Sequence, residues 1–141
     1  MTGEVVIDAS VVLKWVFPSP VEEPDAPRAL DLLAALGEGA VRALEPPHWL
    51  AEVSAIVTRR APARAADVIG ILYAMDLPVV ADLEIYERAA RLAADTSQHV
   101  FDTLYHAVAL ARPDAALVTA DERYYRAARR AGRLVRLADY R

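Results

Sequence analysis

Four acidic residues stand where the surrounding sequence is apolar. Asp8 follows the β-branched run Val5-Val6-Ile7, Glu52 lies among Trp49, Leu50, Val53, Ile56 and Val57, Asp102 opens a strongly apolar run, and Asp121 follows Ala116-Leu117-Val118-Thr119. A carboxylate at the end of a buried strand or inside an apolar stripe needs a hydrogen-bonded partner or a metal. Each position also has an ordinary explanation. Asp8, Asp102 and Asp121 suit helix N-caps, with Glu122 adding a second acid to a first turn, and Glu52 suits the edge of a stripe, reaching water or pairing with Arg59. Gathered at one place, such carboxylates suit hard dications, Mg²⁺ or Mn²⁺, which prefer oxygen ligands and keep several waters. An ion held that way lowers the pKa of a bound water and makes it a nucleophile.

Positioning these acids is the task of the elements between them. Val5–Ile7, Val41–Leu44, Pro78–Val80, Ala116–Thr119 and Leu134–Leu137 read as five short strands. Helices are expected over Ser10–Trp15, Ala26–Leu36 with Gly37 and Gly39 as the stop, Pro46 to Arg60, Pro62 to Met75, Leu83–Ala94, Asp102–Ala111, and Asp121–Ala131 closed by Gly132. Pro18, Pro20, Pro24 and Pro27 make the stretch between Phe17 and Arg28 a loop, a candidate lid. Short apolar strands alternating with helices imply parallel pairing through crossovers. The expected fold class is therefore α/β, a three-layer α/β/α sandwich around a parallel sheet of about five short strands, in one domain spanning residues 1–141. Ligands of such sheets bind beyond the carboxyl ends of the strands, where Asp8 and Asp121 sit.

Composition narrows the chemistry. The formal net charge is −4 over 141 residues, so a polyanionic substrate would need bridging cations. There are no cysteines, which excludes thiolate zinc sites and cysteine nucleophiles, and His48, His99 and His106 lack the i, i+4 spacing of a helical metal pair. The most apolar early stretch, Val5 to Phe17, carries Asp8, Ser10 and Lys14, too polar for a membrane span, and a cytoplasmic location is expected. A phosphatase of the type with two aspartates after the first strand would want an acid where Ser10 stands. A phosphoacceptor receiver would want a late lysine, and Lys14 is the only lysine. A dinucleotide-binding domain would want a Gly-rich first turn.

Taken together, Val6-Ile7-Asp8-Ala9-Ser10-Val11-Val12-Leu13-Lys14-Trp15, Pro47-His48-Trp49-Leu50-Ala51-Glu52-Val53, Phe101-Asp102-Thr103-Leu104-Tyr105-His106-Ala107 and Leu117-Val118-Thr119-Ala120-Asp121-Glu122-Arg123 resemble the four motifs of the PIN-domain family, in particular its VapC-like toxin branch. The likeness spans almost the whole chain, and the four acids match in type and order. It implies a parallel sheet with Asp8, Glu52, Asp102 and Asp121 at one end, Mg²⁺ or Mn²⁺ as cofactor and RNA as substrate. It also implies hydrolysis by a metal-activated water, a small antitoxin protein as partner and a homodimer. Asp8 and Asp121 are taken as principal ligands, Glu52 and Asp102 as further ligands or water-positioning groups, and Ser10 and Thr119 as donors that orient the carboxylates. A PIN-like module that binds RNA or protein without cutting, and a DNA or flap nuclease on the same scaffold, are the competing readings. Arg123, Arg126 and Arg130 share one helix face that would either steer phosphates or simply meet solvent. Trp15, Trp49 and the Tyr124-Tyr125 pair read as core or interface aromatics.

Overall fold

The computed structural model describes residues 3–19 and 21–140. In chain order its elements are β1 (Gly3–Ile7), α1 (Ala9–Val16), α2 (Ala26–Gly37), β2 (Val41–Leu44), α3 (Trp49–Arg60), α4 (Ala65–Ala74), α5 (Leu83–Thr96), α6 (Val100–Leu110), β3 (Ala115–Thr119), α7 (Glu122–Ala128) and β4 (Leu134–Arg136), with short 3₁₀ turns at Arg129–Ala131 and Leu137–Asp139. The strands form one parallel sheet in the order β2-β1-β3-β4. Val5, Val6 and Ile7 are buried in succession, although neighbouring side chains of a strand point to opposite faces, so both faces of the sheet are covered. Helix α6 packs on β1 and β3, α1 on β3, and α2 on β2, giving the three-layer arrangement expected from the sequence.

Four of the five expected strands form. Pro78–Val80 contributes a single parallel bridge beside β2, in which the Glu45 N–H donates to the Pro78 carbonyl and the Val80 N–H to the Glu45 carbonyl, both at 2.9 Å. Pro78 has no N–H to extend a ladder, and the segment lies at the sheet edge with Val79 about half exposed, so nothing propagates the pairing. Leu137 leaves β4 and is buried in the 3₁₀ turn that follows.

Local sequence sets several helix ends differently from the expectation. Pro46-Pro47-His48 form the entry turn of α3, which starts at Trp49, and residues 62–64 likewise precede α4. Helix α6 begins at Val100 with His99 as its N-cap, Nδ1 accepting the Phe101 N–H at 3.3 Å. Asp102 is therefore inside the first turn and is not the cap. Thr103 to Ala109 are buried without a break, as befits a helix sandwiched between the sheet and α5, and Thr103 Oγ1 donates to the Ala89 carbonyl of α5 at 2.8 Å. Helix α5 is amphipathic in the ordinary way, burying Ile85, Ala89 and Leu92. In the Pro-rich stretch, of which Pro20 lies outside the described residues, Glu23 accepts from Lys14 of α1 at 3.0 Å and from Arg60 of α3 at 2.9 Å. No helix among the described residues is long and apolar enough to cross a membrane.

Candidate functional site

β1 and β3 are neighbours, with Ile7 in register with Val118, so the residues that follow the two strands emerge side by side. The Asp8 N–H donates to the Val118 carbonyl at 3.1 Å and carries the pairing one residue past β1. Asp8 then turns into α1 as its N-cap: Oδ2 accepts the Ser10 N–H at 3.1 Å. The same oxygen accepts from the Ser10 hydroxyl and from Thr119 Oγ1 at 3.3 Å. Those hydroxyls in turn accept from the end of β3, Ser10 Oγ from the Ala120 N–H and Thr119 Oγ1 from the Asp121 N–H, each at 3.0 Å. Each hydroxyl has given its proton to Asp8 and taken one from the backbone, which fixes both in a single orientation. Asp121 caps α7, its Oδ1 accepting the Tyr124 N–H at 3.0 Å.

The capping explanation of Asp8 and Asp121 thus holds, but it uses one oxygen of each. Asp8 Oδ1, Asp121 Oδ2 and both oxygens of Asp102 accept no hydrogen bond from a described residue. Glu52 does not pair with Arg59. Its Oε1 accepts from the Tyr105 hydroxyl at 2.9 Å, and His48 Nε2 stands 3.9 Å from Oε2 while donating to the Phe101 carbonyl at 2.7 Å. Burial holds the His48 pKa down, so this contact is that of a neutral imidazole and not an ion pair.

Electrostatics link the four acids. Burial raises the Asp8 carboxyl to about 6 against the opposing Ser10 bonds, and the charges of Asp102 and Asp121 push it the same way. Glu52 is raised to about 7, chiefly by burial, with Asp8 and Asp102 adding to it and the Tyr105 bond opposing. Asp102 is raised by burial and by Asp121, while His99 and Arg123 draw it down. Burial keeps Tyr105 and Tyr124 protonated far above neutrality, so both serve as donors.

Among the described residues no three His, Asp or Glu side chains stand close enough together to share one ion. Asp8, Glu52 and Asp121 are each turned to their own donors, and Asp102 has none among the described residues. The donor set nonetheless suits a hard dication: it is all oxygen, it is anionic, and it keeps the unbonded oxygens just named.

Three further residues of this region were not singled out from the sequence. Tyr105 is three residues after Asp102 on α6, a spacing that places both on one side of that helix. His48 is four before Glu52. Glu45, just ahead of Pro46-Pro47, is completely buried, and its Oε1 accepts the Ile7 N–H at 2.9 Å. Only an acid placed between an apolar strand and a double proline hinted at it. Arg123, Arg126 and Arg130 are all exposed, and Trp49 and Tyr124 are core residues as expected.

Comparison with known proteins gives this geometry a family. The fold is similar to that of a chain in the crystal structure of VapBC2 from Rickettsia felis, solved bound to a DNA fragment from their promoter. That structure superposes with a TM-score of 0.64, covering 94% of this chain and 96% of that one at 14% identity, a likeness of fold. No curated protein matches the sequence. The family model for the PIN domain matches residues 5–130, and the chain belongs to that family, which is one of nucleases.

Proposed function

We propose that this chain is a divalent-metal-dependent endoribonuclease, the toxin of a toxin–antitoxin pair. The observation that carries the reading is the junction of β1 and β3, where Asp8 and Asp121 leave neighbouring strands and Ser10 and Thr119 lace them together. Asp8 and Asp121 would be the principal ligands of Mg²⁺ or Mn²⁺, with Glu52 and Asp102 as further ligands or holders of a water. A bound dication supplies a water of lowered pKa and positive charge against the phosphodiester oxygens.

The chain's own residues do the rest. Ser10 and Thr119 hold Asp8 Oδ2 in place, so that Oδ1 is the oxygen left for the ion. Tyr105 orients Glu52 and opposes its protonation, and Arg123, whose charge draws the Asp102 pKa down, would meet the substrate's phosphate. Hydrolysis by an activated water would leave 5′-phosphate and 3′-hydroxyl ends.

The neighbour's description as VapBC2 supports a small antitoxin as partner. The reading also takes the protein as a cytoplasmic homodimer. Cleavage of matched RNA and DNA oligomers with Mn²⁺, with chelator, and by Asp8→Asn tests the proposal. RNA cutting that needs both the metal and Asp8 is expected. Preferential DNA cutting would move the reading to a DNA nuclease, and metal-independent RNA binding without cleavage would move it to a binding module. Growth arrest on expression, relieved by the product of an adjacent gene, tests the toxin assignment.

A further inference from the structure

Glu45 is a fully buried acid with one carboxylate oxygen left without a partner among the described residues. Its side chain is completely buried at the end of β2. The β1–β2 register stops at Val6 with Leu44, and Pro46, lacking an N–H, cannot extend it. At that point Oε1 reaches across to the Ile7 N–H, the amide one residue before Asp8, and Oε2 is buried with no partner among the described residues.

Neither protonation state satisfies the group as it stands. Ionised, it is a charge buried against a single N–H. Neutral, its O–H has no acceptor. An apolar side chain would serve the core better here, so the carboxyl must meet something the polypeptide does not provide. Its place narrows what that is: one oxygen is anchored beside Asp8, and the charge of Asp8 is felt by Glu45 as the charges of Asp8, Glu52 and Glu45 are together felt by Tyr105. A cation arriving at Asp8 would be opposite in sign to the carboxylates of Asp8, Glu45 and Glu52.

We infer that Glu45 is a fifth carboxylate of the metal centre, its Oε1 fixed by the Ile7 amide and its Oε2 taking the divalent ion bound at Asp8 or one of that ion's waters. This rests on the reading of Asp8 as a ligand and adds a residue to it.

Glu45→Gln keeps an oxygen for the Ile7 N–H and removes the second carboxylate oxygen and the charge. Calorimetric titration with Mn²⁺ should show affinity weakened about tenfold or more, while the metal-free protein melts at the same temperature or higher. A filler of the core would behave in the opposite way, losing stability and keeping metal affinity. Mn²⁺ affinity within twofold of the unaltered protein overturns the inference. Asp8→Asn in the same titration separates the two readings: if it too binds normally, the metal site itself is misplaced, and if it alone loses binding, only the role of Glu45 fails. Should Glu45→Gln not fold, crystals of the unaltered protein grown with Mn²⁺ decide by anomalous scattering. An ion within about 5 Å of Oε2, the reach of one bridging water, upholds the inference, and a more distant ion refutes it.

Discussion

Replacing Asp8 by Asn should make the metal-free protein more stable while disabling it. The folded carboxyl titrates near 6 against an ordinary value of 3.8. Between those values the folded chain holds a proton that the unfolded chain has released, so unfolding free energy falls as pH rises through that window and is level above it. At about 1.4 kcal/mol per pH unit the full cost of the charge is about 3 kcal/mol, an upper limit, of which roughly 2 kcal/mol accrues between pH 4.5 and pH 8. Asparagine is of the same shape, its oxygen can accept from Ser10 and Thr119, and it carries no charge. In urea denaturation with chelator present, Asp8→Asn should therefore gain on the unaltered protein by about 2 kcal/mol as pH is raised from 4.5 to 8. Adding Mn²⁺ should reverse the order, because only the unaltered protein gains binding free energy, about 4.1 kcal/mol at a thousandfold excess over Kd, which exceeds the cost of the charge. A difference that is flat with pH, or an Asn variant less stable at pH 8 in chelator, would refute the picture of Asp8 as a buried charge awaiting a cation.

Tyr105→Phe removes the donor that opposes protonation of Glu52, so the acidic limb of the cleavage–pH profile should move upward relative to the unaltered protein, measured as kcat at saturating metal. Arg123→Gln should weaken RNA binding with little change in kcat and reduce the slope of log affinity against log salt by about 0.7, the value for one single-strand phosphate contact. His106 is completely buried between the Tyr124 hydroxyl, 2.9 Å from Nδ1, and the Gly132 carbonyl, 2.7 Å from Nε2. His106→Leu leaves both without a partner and should cost about 2–4 kcal/mol in urea denaturation, with Mn²⁺ affinity of the folded protein unchanged.

What the sequence determined by itself is local. Val5-Val6-Ile7 before Asp8 and Ala116 to Thr119 before Asp121 mark buried strands that end in acids, and the Ile85, Ala89, Leu92 spacing marks a helix, because each pattern carries its own period. Even so, a cap is set by backbone geometry, which is why His99 starts α6 where Asp102 had the better composition. Tertiary structure decided everything that joins distant segments. The order β2-β1-β3-β4 places Asp8 beside Asp121, 113 positions later in the chain, by setting β3 next to β1 with no other strand between them. The Tyr105 bond to Glu52 spans 53 residues and the Glu45 bond to Ile7 spans 38. Such contacts follow from which apolar faces bury one another across the sheet, a property of the packed whole that no single segment encodes. The same cause reduced Pro78–Val80 from an expected strand to one bridge, since its fate depended on having a partner at the sheet edge and on the donor that Pro78 lacks.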